Sequence, residues 1–164
     1  MGSPDGNALE VLVGRLLTQR GLTLAVAESC TGGLIGHRIT NIPGSSVYYQ
    51  GSITAYSYDV KELLLHVRHD SLYHYGAVSE QTAQDMARGV QRALRSDIGL
   101  AVTGIAGPDG GTPEKPVGLV YVALAAPDGA WVERHMWSGS RWENKARSAE
   151  AALDLLRRYL EGQF

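Results

Sequence analysis

Leu22-Thr23-Leu24-Ala25-Val26-Ala27-Glu28-Ser29-Cys30-Thr31-Gly32-Gly33 is the stretch that decides the fold. A short apolar run ends in a glycine-bearing turn, and an amphipathic stretch, Leu34 to Thr40, follows it. The order reads as buried strand, tight turn and helix, the repeating unit of an α/β layered domain. It sets the Ser29 hydroxyl beside a helix N-terminus, where unpaired backbone N–H groups favour developing negative charge. Two roles are open to Ser29 on this pattern. A nucleophile needs a base nearby, whereas a helix cap shared with Thr31 needs only the turn.

Working outward, the elements alternate. Ala8 to Arg20 puts Leu9, Leu12, Leu16 and Leu17 on one helical face, and Gly21 ends it. The helix after Gly33 closes at Asn41-Ile42-Pro43-Gly44. Val47 to Tyr56, rich in β-branched and aromatic residues, predicts a strand with Gly51 as a bulge or close-approach point. A short helix over Asp59 to Leu65 and a turn over Ser71 to Tyr75 precede a long helix from Ser79, its N-cap, to Arg95. Ile98 to Val102 is a buried strand; Val117 to Ala126 and Trp131 to Trp137 form a hairpin around Pro127-Asp128-Gly129. Arg141 to Glu161 is the last helix. The expectation is a single α/β/α layered domain over residues 8–164, its mixed sheet including a C-terminal β-hairpin, behind a flexible segment at residues 1–7.

Composition narrows the function classes. A net charge of −2, with Lys and Arg scattered, lacks the basic footprint of a nucleic-acid binder. No run approaches a membrane span, and the polar N-terminus has no apolar signal region. One cysteine cannot form an internal disulfide, so a cytoplasmic setting is expected. His66, His69 and His74 lie close together without Cys or Glu in a ligand spacing, so no metal site is expected. Trp131, Trp137 and Trp142 read as core or subunit-interface aromatics.

Two further segments can carry chemistry. Tyr56 at a strand end and Lys61 in the first turn of the next helix can converge on one pocket. A partly desolvated lysine there has a depressed pKa and serves as a base, although most lysines are solvated surface residues. The second segment is Thr103-Gly104-Ile105-Ala106-Gly107-Pro108-Asp109-Gly110-Gly111, which matches neither a dinucleotide fingerprint nor a P-loop. It is either a ligand-binding loop at the carboxyl end of a buried strand or a plain connection.

Taken together with Pro43-Gly44-Ser45-Ser46, Tyr75-Gly76-Ala77-Val78-Ser79-Glu80 and Lys115-Pro116-Val117-Gly118, these motifs resemble the CinA C-terminal domain family, which includes nicotinamide-nucleotide amidohydrolases. The resemblance runs in order from about Leu9 to Leu160. Longer members carry an N-terminal domain similar to molybdopterin-binding proteins, for which 164 residues leave no room. The resemblance implies hydrolysis of the carboxamide of nicotinamide mononucleotide to nicotinic acid mononucleotide and ammonia, without a cofactor. It maps a catalytic serine, tyrosine and lysine onto Ser29, Tyr56 and Lys61. Substrate contacts are expected from Thr31, Gly32, Gly33, Ser45, Ser46, Thr103, Gly104, Ala106, Gly107 and Arg141, the last a phosphate partner. It further implies a homodimer or larger assembly. The chain departs from the family pattern at Tyr58, Ser140 and Lys145, around the expected pocket rim. The alternatives are a non-catalytic nucleotide-binding module linked to competence or DNA damage, and an amidase for another small amide.

Overall fold

The computed structural model describes residues 5–164, so residues 1–4 of the expected flexible segment lie outside the described part. Five strands form one sheet in the order β2-β1-β3-β4-β5. They are β1 (Leu24–Glu28), β2 (Tyr49–Thr54), β3 (Ile98–Gly104), β4 (Leu119–Ala126) and β5 (Gly129–Met136). β1 runs parallel to both its neighbours, and β3-β4-β5 is antiparallel, which makes the sheet mixed as expected. Helices α1 (Leu9–Arg20), α2 (Leu34–Thr40) and α5 (Arg141–Leu160) cover one face; α3 (Tyr58–Leu65) and α4 (Glu80–Ala93) cover the other.

Strand alternation gives the two faces different characters. Leu24, Val26, Leu100, Val102, Val122 and Leu124 point toward α1, α2 and α5 and meet Val13, Leu17, Ile35, Ile39, Leu153 and Leu156. Ala25, Ala27, Ala101, Ala123 and Ala125 point toward α4 and meet Met86, Ala87 and Val90. The small side chains let α4 lie close to the sheet: a β-carbon at Gly99 would stand 2.0 Å from the Ala87 carbonyl oxygen. α3 in turn is pressed against α4 at Gly89, where a β-carbon would stand 2.0 Å from the Leu65 carbonyl oxygen.

The departures from the sequence reading are local. Val47 belongs to a single 3-10 turn, Ser45–Val47, rather than to β2. Leu24 pairs with Tyr49 and Ala25 with Gly51, so Gln50 is the extra residue of a bulge beside Gly51, whose φ is 141°. Ser71–Tyr75 is one turn of π-helix. Gly21 ends α1 in the left-handed conformation, and Ser79 caps α4 by accepting the Thr82 N–H. Ser140 and Glu143 form a reciprocal capping box at α5 that the reading overlooked, although Ser-x-x-Glu is its sequence signature. Trp131 and Trp137 pack on the core, whereas Trp142 is 79% exposed.

The contact at Gly89 is directly testable. Gly89→Ala should cost about 1–3 kcal/mol through overpacking, seen as a lower urea midpoint at unchanged slope. Lys61 is the fourth residue of α3, so the displaced helix should carry its side chain out of place as well.

Candidate active site

The carboxyl ends of β1 and β3 and the start of α5 enclose a cleft of about 200 Å³. Ser29, Cys30, Tyr56, Lys61, Thr103 and Arg141 line it, with Ala77, Val78, Gly104 and Ala106 as small wall residues. Ser29 follows β1 directly, and its N–H continues the sheet by donating to the Val102 carbonyl at 3.0 Å. Lys61 sits in the first turns of α3, whose N-cap is Ser57, and its side chain runs inward with 1% exposure.

Lys61 Nζ lies 3.0 Å from Ser29 Oγ and 2.7 Å from the Ala55 carbonyl oxygen. Burial holds the amine down to about 8, against an ordinary 10.5. A protonated Lys61 donates to Ser29; a neutral one keeps its bond to Ala55 and accepts the Ser29 proton through the same contact. That is the geometry of a nucleophile with its base, and it needs no intermediary. Tyr56, 63% exposed, bonds neither Ser29 nor Lys61; its hydroxyl accepts from Arg141 Nη2 at 3.1 Å. Cys30 beside Ser29 is buried, and burial pushes its thiol up to about 12, so it stays protonated and unreactive.

The turn after Ser29 differs from expectation. Neither Ser29 nor Thr31 caps α2. The buried Glu28 carboxylate does so, accepting from the Gly33, Ile35 and Gly36 N–H groups at 3.0, 3.2 and 2.9 Å. The Gly33 N–H is therefore occupied and cannot serve a substrate anion, and Gly32 N–H donates back to the Ser29 carbonyl. Among the described residues, the N–H groups of Cys30, Thr31, Ala106 and Gly107 have no protein acceptor. Of these, Cys30 and Ala106 line the cleft, as do Tyr56 and Val78, whose N–H groups likewise have no protein acceptor; such groups are the kind of donor an oxyanion needs. Thr31 Oγ1 is also buried without a partner.

Of the other expected contacts, Thr103, Gly104 and Ala106 line the cleft, and Thr103 Oγ1 donates to the Ala77 carbonyl at 2.7 Å. Gly107 accepts from Arg141 Nη1 at 2.7 Å. Ser45 and Ser46 are not part of this cleft. Their turn leads into the start of β2, beside the Leu24 end of β1, whereas Ser29 follows the other end. Five residues at ~3.3 Å each separate the two ends by on the order of 15 Å. The sequence reading missed Asn144, which is fully buried and donates to the carbonyls of Ala106 and Gly139 at 3.1 Å each, tying the glycine loop to the start of α5. Its one sequence signal is an amide in the helical stretch Glu143 to Ala146.

The departures at the rim have local explanations. Ser140 is the N-cap of α5, a role that an acidic side chain also fills. Tyr58 accepts the Ala77 N–H at 3.2 Å and stacks edge-on against Tyr73. Lys145 places its ammonium 5.6 Å from the centre of the Trp142 ring, near Gly32. His69 pairs with Glu62 at 2.8 Å. No group of three or more metal-ligating side chains occurs among the described residues, and no helix among them is long and apolar enough to cross a membrane.

The family model of the CinA C-terminal domain matches residues 6–160. The chain belongs to that family. It is 52% identical over 161 residues to a protein of Halothermothrix orenii named for competence-damage induction, covering 98% of this chain and 39% of that protein. It is 48% identical over 156 residues to the CinA-like protein of Desulfotalea psychrophila, covering 95% of this chain and 38% of that one. The chain thus spans about two fifths of the length of these relatives. Among solved structures, the competence/damage inducible protein of Agrobacterium tumefaciens matches with TM-score 0.89 at 38% identity, over 98% of this chain and 99% of that one. A CinA superfamily protein of Klebsiella pneumoniae matches with TM-score 0.90 at 30% identity, over 94% and 96%.

The depressed Lys61 has a measurable signature. Folding releases its proton between about 8 and 10.5, so stability rises with pH across that window and the burial penalty is fully present below it. The difference in melting temperature between Lys61→Met and the parent should move in the parent's favour as pH rises from 7 to 10. A gap independent of pH would mean that Lys61 titrates normally.

Proposed function

We propose that this domain hydrolyses the carboxamide of nicotinamide mononucleotide, releasing ammonia and nicotinic acid mononucleotide, with Ser29 as nucleophile and Lys61 as its base. The observation that carries the reading is the buried, pKa-lowered amine of Lys61 at 3.0 Å from Ser29 Oγ. Family membership suggests the substrate class, since the family includes nicotinamide-nucleotide amidohydrolases.

Neutral Lys61 takes the Ser29 proton as Oγ bonds to the carboxamide carbon, and the carbonyl π pair moves onto oxygen. N–H groups that line the cleft, among them those of Cys30 and Ala106, hold that oxyanion; one such donor is worth roughly a hundred- to a thousandfold in rate. The tetrahedral centre collapses, the C–N bond breaks, and the nitrogen leaves as ammonia after receiving a proton from the site. Water then attacks the nicotinoyl ester, with Lys61 again accepting a proton, and Ser29 is restored. No step calls on a metal or an organic cofactor. The substrate phosphate meets Lys145, in the second turn of α5 near Gly32; Arg141, the phosphate partner that the resemblance implies, already donates both arms to Gly107 and Tyr56.

Ammonia release from nicotinamide mononucleotide by the purified chain tests this reading, with nicotinamide as the comparison substrate. Ser29→Ala should cost at least about a thousandfold in kcat, and activity should persist after exhaustive chelation. Binding of the mononucleotide without ammonia release would instead support a non-catalytic binding module. For the active enzyme, kcat/KM should climb as pH passes through about 8, because the base works only when Lys61 is neutral. A profile flat from pH 6 to 10 would remove Lys61 from the base role.

A further inference from the structure

Tyr56 raises a question that the pairing of Ser29 with Lys61 leaves unanswered. Its ring lies at the mouth of the cleft, 63% exposed, so packing does little to hold it. Among the described residues its hydroxyl has one hydrogen-bond partner, Arg141 Nη2 at 3.1 Å. The other arm of that guanidinium donates to the Gly107 carbonyl at 2.7 Å. Arg141 is itself firmly placed, as the first residue of a helix whose N-cap is closed by the Ser140–Glu143 capping box. One rigid fork therefore spans the glycine loop and the tyrosine, 34 and 85 residues away in sequence.

The direction of the bond matters. A guanidinium only donates, so the phenolic oxygen accepts and its hydrogen stays free for a ligand. The cation also lies where a phenolate would develop if that hydrogen were given away.

We propose that Arg141 is the positioning residue of Tyr56, holding the phenol over the cleft as proton donor to the departing amine. The proposal rests on the amidase reading and assigns the proton that the reading leaves to the site at large. When the tetrahedral centre collapses, the C–N bond breaks and its electron pair takes the Tyr56 proton, forming ammonia. The phenolate left behind lies against Arg141 and regains a proton from solvent water at the exposed mouth of the cleft, while Lys61 gives up to water the proton it took from Ser29. Charge and atoms balance, and both groups return to their starting states before water attacks the ester.

The test compares the carboxamide of nicotinamide mononucleotide, the riboside lacking the phosphate, and a 4-nitrophenyl ester of nicotinic acid, whose leaving group needs no proton. Tyr56→Phe and Arg141→Ala should each lower kcat on both amides by a hundredfold or so, with little change in KM, and spare the ester. Arg141→Ala should add nothing in the Tyr56→Phe background, and Arg141→Lys should not rescue, because one ammonium cannot span Gly107 and Tyr56. A loss confined to KM for the phosphate-bearing substrate, equal losses on ester and amide, or additive losses in the double variant would each overturn the proposal. A readout independent of turnover separates its failure from that of the amidase reading. With 3-fluorotyrosine at position 56, the fluorine resonance should shift and narrow in Arg141→Ala as the ring is freed. An unchanged resonance overturns the positioning role even if the amides are hydrolysed. A shifted resonance supports the positioning even if they are not.

Discussion

A buried carboxylate organises the nucleophile turn. Glu28 ends β1 on the face that α2 covers, because the two-residue period of the strand that sends Leu24 and Val26 into that layer sends Glu28 there too. α2 has only seven residues and no side-chain cap of its own, so it has little intrinsic stability. The N–H groups of its N-cap Gly33 and of Ile35 and Gly36 close on Glu28, which satisfies the helix end and the buried carboxyl group together. A β-carbon at Gly36 would stand 2.7 Å from the Tyr49 hydroxyl and 2.9 Å from Ser52 Oγ, so glycine there lets α2 lie close to β2. Ser29 is thereby held on a turn whose two ends are fixed by one side chain.

The same carboxylate redirects the electrostatics of the site. An α/β turn of this kind ordinarily offers its helix N-terminus to an anion. Here that position is filled from within the protein, and the remaining donors include N–H groups of the turn itself and of the glycine loop. In the proposed reaction, anion stabilisation would thus depend on the relative placement of two loops. Asn144 and Arg141, both on α5, join that second loop to the helix that carries them.

The opposite layer supplies Lys61, the base of the function we propose. Alanine and glycine on the α4 side of the sheet bring the helices close, and the Gly89 contact seats α3 so that Lys61 reaches inward to Ser29. Burying an amine costs stability, and it brings the pH at which Lys61 is half neutral down to about 8. Stability given up for reactivity is the usual condition of a preorganised site.

Much of this was legible in the chain. The periodicity of Ala8 to Arg20, the apolar runs at Leu24 and Ile98, and the Pro127-Asp128 turn determined the elements and the mixed sheet, because local propensity and burial pattern are properties of neighbouring residues. The pairing of Ser29, Tyr56 and Lys61 as candidates was also readable from motif order. Tertiary structure alone decided what each atom does. Glu28 looks like an ordinary strand-end acid until α2 folds over it, and Ser45 and Ser46 look like site residues until strand direction sends them to the far end of β1. Arg141 reads as a phosphate partner, yet its bonds run to Gly107 and Tyr56, residues that only the packing of α5 brings within reach. Hydrogen-bond partners separated by many residues are set by how layers stack, and no local pattern of side chains encodes that distance.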